Sequence, residues 1–278
     1  VCVAQTMKQL FGQSEMFDLI NSGSEPIDLH AYVGSALYAF DHGVNMDFDY
    51  FKSLKLGSEQ QRATYKLYRN RGKPIGLGYF GGLGEETMCL VSRSQGVPMT
   101  LEQAEKGRRI HSQIFPEIID YLGWRSKRDG KEHPRAEHPG WVRNQQVGKG
   151  YYGYAYEVNG RYRMGCTYCS CANGRSMQSL AADGLKEALF RCVRACYDPT
   201  YLEGKLNDCR VLFEIHYEIG FELPESVAIE RSKAFAMLMV EGMKKISLPD
   251  MRVTVEASLM DFWSKDESNH TSSAKHWG

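Results

Sequence analysis

Apolar residues recur at helical spacing through the first part of the chain. Val3, Met7, Leu10 and Phe11 share one face of an amphipathic stretch running from Val1 to Phe11. No capping residue precedes it, so the chain opens inside an uncapped helix and reads as a fragment. A short helix is predicted from Met16 to Ile20, ended by the breaker Asn21-Ser22-Gly23-Ser24. Leu29 to Phe40 is apolar and reads as helix. Phe48 to Leu54 leads through Gly57-Ser58 into a predicted helix from Glu59 to Phe80. Leu101 to Leu122 places Ala104, Ile110, Ile114 and Ile118 on one face and reads as one long helix.

The pattern then changes. Ser126 to Gly150 is polar, rich in Gly, Pro, His and charge, and reads as an exposed excursion. Tyr151 to Arg163 alternates aromatic residues around Asn159-Gly160, a hairpin signal. Its aromatics can stack on bases, but cross-strand packing is the simpler reading. Ser179 to Tyr197 is predicted helical. Arg210 to Leu223 alternates on both sides of His216-Tyr217-Glu218 and predicts a hairpin turning at or near that triplet. Ile229 to Lys244 reads as a helix burying Ala234, Met237, Leu238 and Met243. Met251 to Ala257 reads as a strand, and the polar tail from Ser264 onward as frayed. No internal repeat is visible.

Bulk composition narrows the class. The chain has 278 residues, room for one large domain or two smaller ones. Hydrophobic content of 42% and aromatic content of 12% fit a globular protein with a real core. Formal net charge is zero, so no global basic excess advertises nucleic-acid binding, although a local groove needs none. No apolar run of about 18 residues predicts a membrane span, and no signal peptide is visible. Cys166, Cys169 and Cys171 form the only tight cysteine cluster. Its C-x-x-C is half a zinc site, and the nearest further pair is Cys192 and Cys196. The competing reading is that the eight cysteines pack as small apolar residues in a reduced, cytoplasmic protein.

The candidate chemistry sits in Arg69-Asn-Arg-Gly-Lys-Pro-Ile-Gly-Leu-Gly-Tyr-Phe-Gly-Gly-Leu-Gly84. Arg69 and Lys73 stand four residues apart, which on a helix puts both cations on one face, one turn apart. Arg can fork onto two phosphate oxygens and Lys supplies a point charge, so the pair suits a polyanion such as a nucleoside triphosphate. A solvated basic helix running into a glycine-rich loop is the plain alternative.

This stretch resembles motif B of the family A DNA polymerases, the DNA polymerase I-like group. The Gly81-Gly82-Leu83-Gly84 ending looks like the phage-type branch. Three further landmarks follow the family's order. Asp28-Leu29-His30 resembles the Asp-x-His after motif A. Met177-Gln178-Ser179-Leu180-Ala181-Ala182-Asp183 resembles the palm helix Gln-Gly-x-Ala-Ala-Asp. Ile215-His216-Tyr217-Glu218 resembles motif C, normally His-Asp-Glu on a hairpin.

The resemblance implies an α+β fold: a polymerase palm, an antiparallel sheet with helices, interrupted by a mostly helical fingers insertion. It places a first palm part at 1–40, truncated after motif A, fingers at 41–163, and a second palm part with motif C at 164–278. It implies that His30, Arg69 and Lys73 contact the dNTP and that Lys73 serves catalysis. Leu77 takes the place of an aromatic packing near the sugar, and Gly81 that of a stacking Tyr. Gln178 and His216 are implied to touch primer-template DNA. Asn173 and Arg163 are further DNA-binding candidates, although the Asn173-to-Gln178 interval is one residue longer than the family pattern. Glu218 sits behind the metals in relatives.

Two departures bear on activity. The family holds two Mg²⁺ ions with one motif A and one motif C aspartate, and uses them for two-metal nucleotidyl transfer. The motif A aspartate would fall before Val1, and Tyr217 stands where the motif C aspartate belongs. A phenol with a pKa near 10 is a poor Mg²⁺ ligand. The expectation is therefore a DNA-directed DNA polymerase by family whose metal site is incomplete in this chain, inactive alone. Its implied partners are primer-template DNA, dNTP and the missing N-terminal part of the polymerase, in the cytoplasm of a bacterial or phage-infected cell. The alternative is a non-catalytic primer-template-binding remnant, or one half of a split polymerase.

Overall fold

The computed structural model describes residues 1–122, 141–147, 150–156, 162–167, 178–264 and 269–277. Asp120, residues 272–277 and the strands between 141 and 167, apart from Met164 and Gly165, are described by their backbone alone. The chain divides into two compact units, Thr6–Met177 and Val1–Gln5 with Gln178–Gly278, the division falling within helix α1 (Cys2–Phe11). No helix among the described residues is long and apolar enough to cross a membrane.

Unit Thr6–Met177 is built on capped helices. Ser14 accepts a hydrogen bond from the Phe17 amide and opens α2 (Glu15–Asn21). Asp28 opens α3 (Leu29–His42), and Asp47 opens α4 (Phe48–Ser53), which runs into a 3₁₀ turn. A reciprocal capping box of Ser58 and Gln61 starts α5 (Glu59–Phe80), and Thr100 with Gln103 does the same for α7 (Leu101–Ile114). Between these lies α6 (Glu85–Ser94), which has no side-chain cap because Gly84 holds that position.

The predicted single helix from Leu101 to Leu122 is two helices. Pro116 disfavours helical geometry at the preceding residue, and Phe115 leaves the helix at φ −125°, ψ 75°. Chain direction resets there and α8 (Glu117–Tyr121) follows. The helices close over a core of Phe51, Ile75, Tyr79, Met88, Phe115, Ile118 and Tyr121. Part of the expected excursion is ordered strand: β1 (Trp141–Val147) pairs antiparallel with β2 (Gly150–Tyr156), which pairs with β3 (Tyr162–Thr167). The predicted Asn159-Gly160 turn lies outside the described residues.

The other unit packs α9 (Ser179–Tyr197) on α10 (Ala228–Ile246). Gly242 permits the contact, since a Cβ there would stand 2.6 Å from Cα and N of Ala188. Cys192, Cys196, Cys209, Leu206, Phe235 and Leu238 form the buried cluster, with Phe221 stacked on Phe235 at 4.0 Å. The hairpin β4 (Arg210–Ile215) and β5 (Glu218–Glu222) supplies Phe221. The described part of the tail is strand: β7 (His270–Trp277) pairs along β6 (Thr254–Met260) from Thr254↔Trp277 to Met260↔His270. Its Thr and Trp residues favour strand, and backbone pairing needs no apolar run. Among the described residues the fold is thus helix-rich with three small antiparallel sheets.

Candidate functional site

Helices α3 and α5 cross closely enough to bring four polar side chains together. Gly72 and Gly34 make the crossing possible. A Cβ on Gly72 would stand 2.4 Å from the His30 carbonyl oxygen and 2.9 Å from the Gly34 nitrogen, and one on Gly34 would stand 2.7 Å from the Tyr68 carbonyl oxygen. Each is far inside van der Waals contact, so only glycine fits. One turn beyond, Gly76 leaves room for the His30 ring, whose Nδ1 would lie 3.8 Å from a Cβ there.

The start of α3 faces the cations of α5 across this crossing. Asp28 Oδ1 accepts from the amides of His30 and Ala31 at 3.0 and 3.1 Å, capping α3. Its Oδ2 accepts from Nε of Arg69 at 2.7 Å. Burial pushes the Asp28 carboxyl up, but the Arg69 guanidinium, the Ala31 amide and His30 outweigh it and hold the group below the ordinary carboxylate range. His30 is half-buried. Burial lowers its pKa and the nearby charges of Arg69 and Lys73 lower it further, against the opposing pull of Asp28, so the imidazole is neutral at neutral pH. Lys73 is exposed and has no ion pair among the described residues. The cluster therefore offers a guanidinium, an ammonium and an imidazole to an anion arriving from solvent. Leu77, four residues on, is 43% exposed, and Gly81 caps the end of α5.

The other candidate residues fall in the second unit or outside the described residues. His216 and Tyr217 form the two-residue turn between β4 and β5, and Glu218 opens β5 opposite Ile215. His216 adopts a positive φ of 56° there. Tyr217 is 57% exposed, and burial of its hydroxyl together with nearby Cys2 raises its pKa, so it is a neutral phenol. Glu218 Oε1 accepts from Nε1 of Trp263 at 2.8 Å, and Trp263 meets Phe213 edge-on at 6.0 Å. Gln178 is exposed just before α9. Arg163 lies on β3 opposite Ala155, its side chain undescribed, and Asn173 lies outside the described residues.

The cysteines of the zinc reading are only partly described. Cys169 and Cys171 lie outside the described residues, and Cys192 and Cys196 are buried in the hydrophobic cluster. Among the described residues, no group of three or more His, Cys, Asp or Glu side chains is placed to hold a metal ion.

Two site residues carried no signal for their roles. Asp28 reads as a helix cap, and its bond to Arg69 spans 41 positions that only the helix crossing joins. Trp263 reaches Glu218 across 45 positions.

No family model and no curated protein matches the chain. Among solved structures it is similar to the POL domain of Pol1 from M. smegmatis, in complex with DNA primer-template and dNTP. The TM-score is 0.54 at 18% identity, over 100% of this chain and 38% of that one. The fold is that of a DNA polymerase domain. The chain spans 38% of the length of the polymerase it matches.

Proposed function

We propose that this chain is the fingers and palm portion of a family A, phage-type DNA polymerase, and that it binds dNTP and primer-template DNA. In this reading the fingers occupy 41–163, between palm parts at 1–40 and 164–278. The observation that carries it is the juxtaposition of His30, Arg69 and Lys73 at the Gly34–Gly72 crossing. Three groups able to contact phosphate converge there, in a fold shared with a polymerase domain. That neighbour holds primer-template and dNTP, which supports the same two ligands here. Gln178, His216, Arg163 and Asn173 are the proposed DNA-contacting positions, and Leu77 lies where the sugar would pass.

Template-directed DNA synthesis belongs to the parent family, and the residues of this chain do not fit its Mg²⁺ pair. At the motif C turn the donors are a neutral phenol, Tyr217, and a carboxylate, Glu218, already engaged by Trp263. Mg²⁺ asks for hard carboxylate oxygens in near-octahedral array. The chain therefore binds its ligands without joining nucleotides. Primer extension with Mg²⁺ and all four dNTPs, run beside filter retention of labelled primer-template, tests this. Retention without extension is expected. Extension above background would contradict the inactive reading, and absent retention would contradict the DNA-binding one.

A further inference from the structure

The cations on α5 extend well beyond Arg69 and Lys73. Arg62, Lys66, Arg69 and Lys73 follow one another at spacings of four, three and four residues. At about 100° per residue they form one stripe, and at about 1.5 Å rise per residue it is about 16 Å long. Arg62, Lys66 and Lys73 are exposed and Arg69 is half-buried. The face carrying Tyr68, Ile75 and Tyr79 turns instead into the core.

Several other cations of the same unit are paired. Lys52 pairs with Asp49 at 3.2 Å, Lys106 and Arg71 with Asp41 at 2.6 and 3.8 Å, and Arg108 with Glu85. Among the described residues, Arg62, Lys66 and Lys73 have no ion pair, and Arg62 donates only to the Gly57 carbonyl, at 2.6 Å. Asp28 is committed to Arg69, and Glu59 lies at the first turn of the helix. Like charges three or four apart on a helix repel by roughly 0.2–0.5 kcal/mol per pair. The stripe holds three such pairs in a chain whose 34 basic and 34 acidic residues cancel. Glu59, three residues before Arg62, is the one acid of α5, and none is interleaved from Arg62 to Lys73. Such a run of cations is complementary to a linear polyanion longer than three linked phosphoryl groups.

We propose that the first half of α5, through Arg62 and Lys66, binds the phosphodiester backbone of single-stranded nucleic acid. A single file of cations suits one strand, since a duplex presents two phosphate rows. This site goes beyond the triphosphate contact assigned to Arg69 and Lys73 and stands without it.

The test uses the whole chain and a fluorescein-labelled oligo(dT), with anisotropy titrations over a series of salt concentrations. Each neutralised single-strand phosphate contributes a slope of about −0.7 in log affinity against log salt. Replacing both cations, Arg62→Gln with Lys66→Gln, should flatten the slope by about 1.4 and weaken binding at 0.1 M salt on the order of tenfold. The exchange Arg62→Lys with Lys66→Arg should restore both, which separates charge from folding damage. Lys233→Gln with Lys244→Gln, two exposed cations of the other unit, should leave both unchanged. An unchanged slope in the Arg62 and Lys66 double variant, or equal flattening in the control, overturns the proposal. Inorganic polyphosphate displacing oligo(dT) at far lower phosphate concentration overturns the choice of nucleic acid. The same double variant should keep wild-type dNTP affinity. Wild-type protein that binds oligo(dT) but no dNTP would contradict the triphosphate reading alone.

Discussion

Arg69 donates its Nε to Oδ2 of Asp28 at 2.7 Å, while Oδ1 of the same carboxylate caps α3. One side chain thus ties the start of one helix to the middle of another. The two functions separate by mutation. Asp28→Asn keeps a capping oxygen and loses the charge, and a partly exposed ion pair contributes about 0.2–1 kcal/mol. Asp28→Ala loses the cap as well, worth about 1 kcal/mol more. Urea denaturation should rank wild type above Asn above Ala. Equal midpoints for Asn and Ala would show that the cap contributes nothing.

The glycine crossing makes a sharper contrast. In an exposed helix Gly→Ala gains about 1 kcal/mol of propensity. Gly76→Ala meets only ordinary contact with the His30 ring, so it should be neutral or stabilising. Gly72→Ala drives a methyl into the His30 carbonyl and should cost about 1–3 kcal/mol, like other overpacked sites. It should also weaken dNTP binding by spreading α3 from α5. Comparable stability of the two variants would contradict the crossing.

His111 predicts an acid-sensitive core. Its ring is fully buried among Phe80, Phe115 and Tyr79, and neither ring nitrogen has a hydrogen-bond partner among the described residues. Burial lowers its pKa from 6.5 to about 3. The unfolded chain therefore binds a proton first. The stability that neutral His111 permits is full above pH 6.5 and drains as pH falls toward 3, at up to about 1.4 kcal/mol per pH unit. His111→Phe should remove this slope while holding stability at neutral pH, as denaturation at several pH values will show. An unchanged slope in that variant would place the acid sensitivity elsewhere.

His30 should couple nucleotide binding to protons. Burial, Arg69 and Lys73 keep it neutral in the free protein. A bound triphosphate brings negative charge that raises its pKa, so binding takes up a proton and tightens as pH falls. The ratio of wild-type to His30→Gln affinity cancels the titration of the phosphate itself. That ratio should grow from pH 8 to about pH 6, within the range where imidazoles titrate. A flat ratio would remove His30 from the site.

Much of this was legible from local chemistry. The Gly57-Ser58 break and the Arg69–Lys73 spacing locate α5 and its charged face, and the hairpin turn at His216-Tyr217 follows from flanking alternation. What the sequence hid is nonlocal. Gly72 carries no signal beyond its place inside the predicted helix from Glu59 to Phe80, yet it is a helix-crossing contact with α3. Pro116 was read through because the apolar period continues across it, although the backbone does not. The tail from Ser264 looked frayed because its polar residues form no core, yet β6 supplies its backbone partners.

The central claim is triphosphate binding by the α3–α5 cluster, and calorimetric titration of the intact chain with dNTP tests it most directly. Wild-type protein should bind, and Arg69→Gln with Lys73→Gln should abolish the heat while the circular dichroism spectrum stays the same. Undiminished affinity in that double variant would contradict the account.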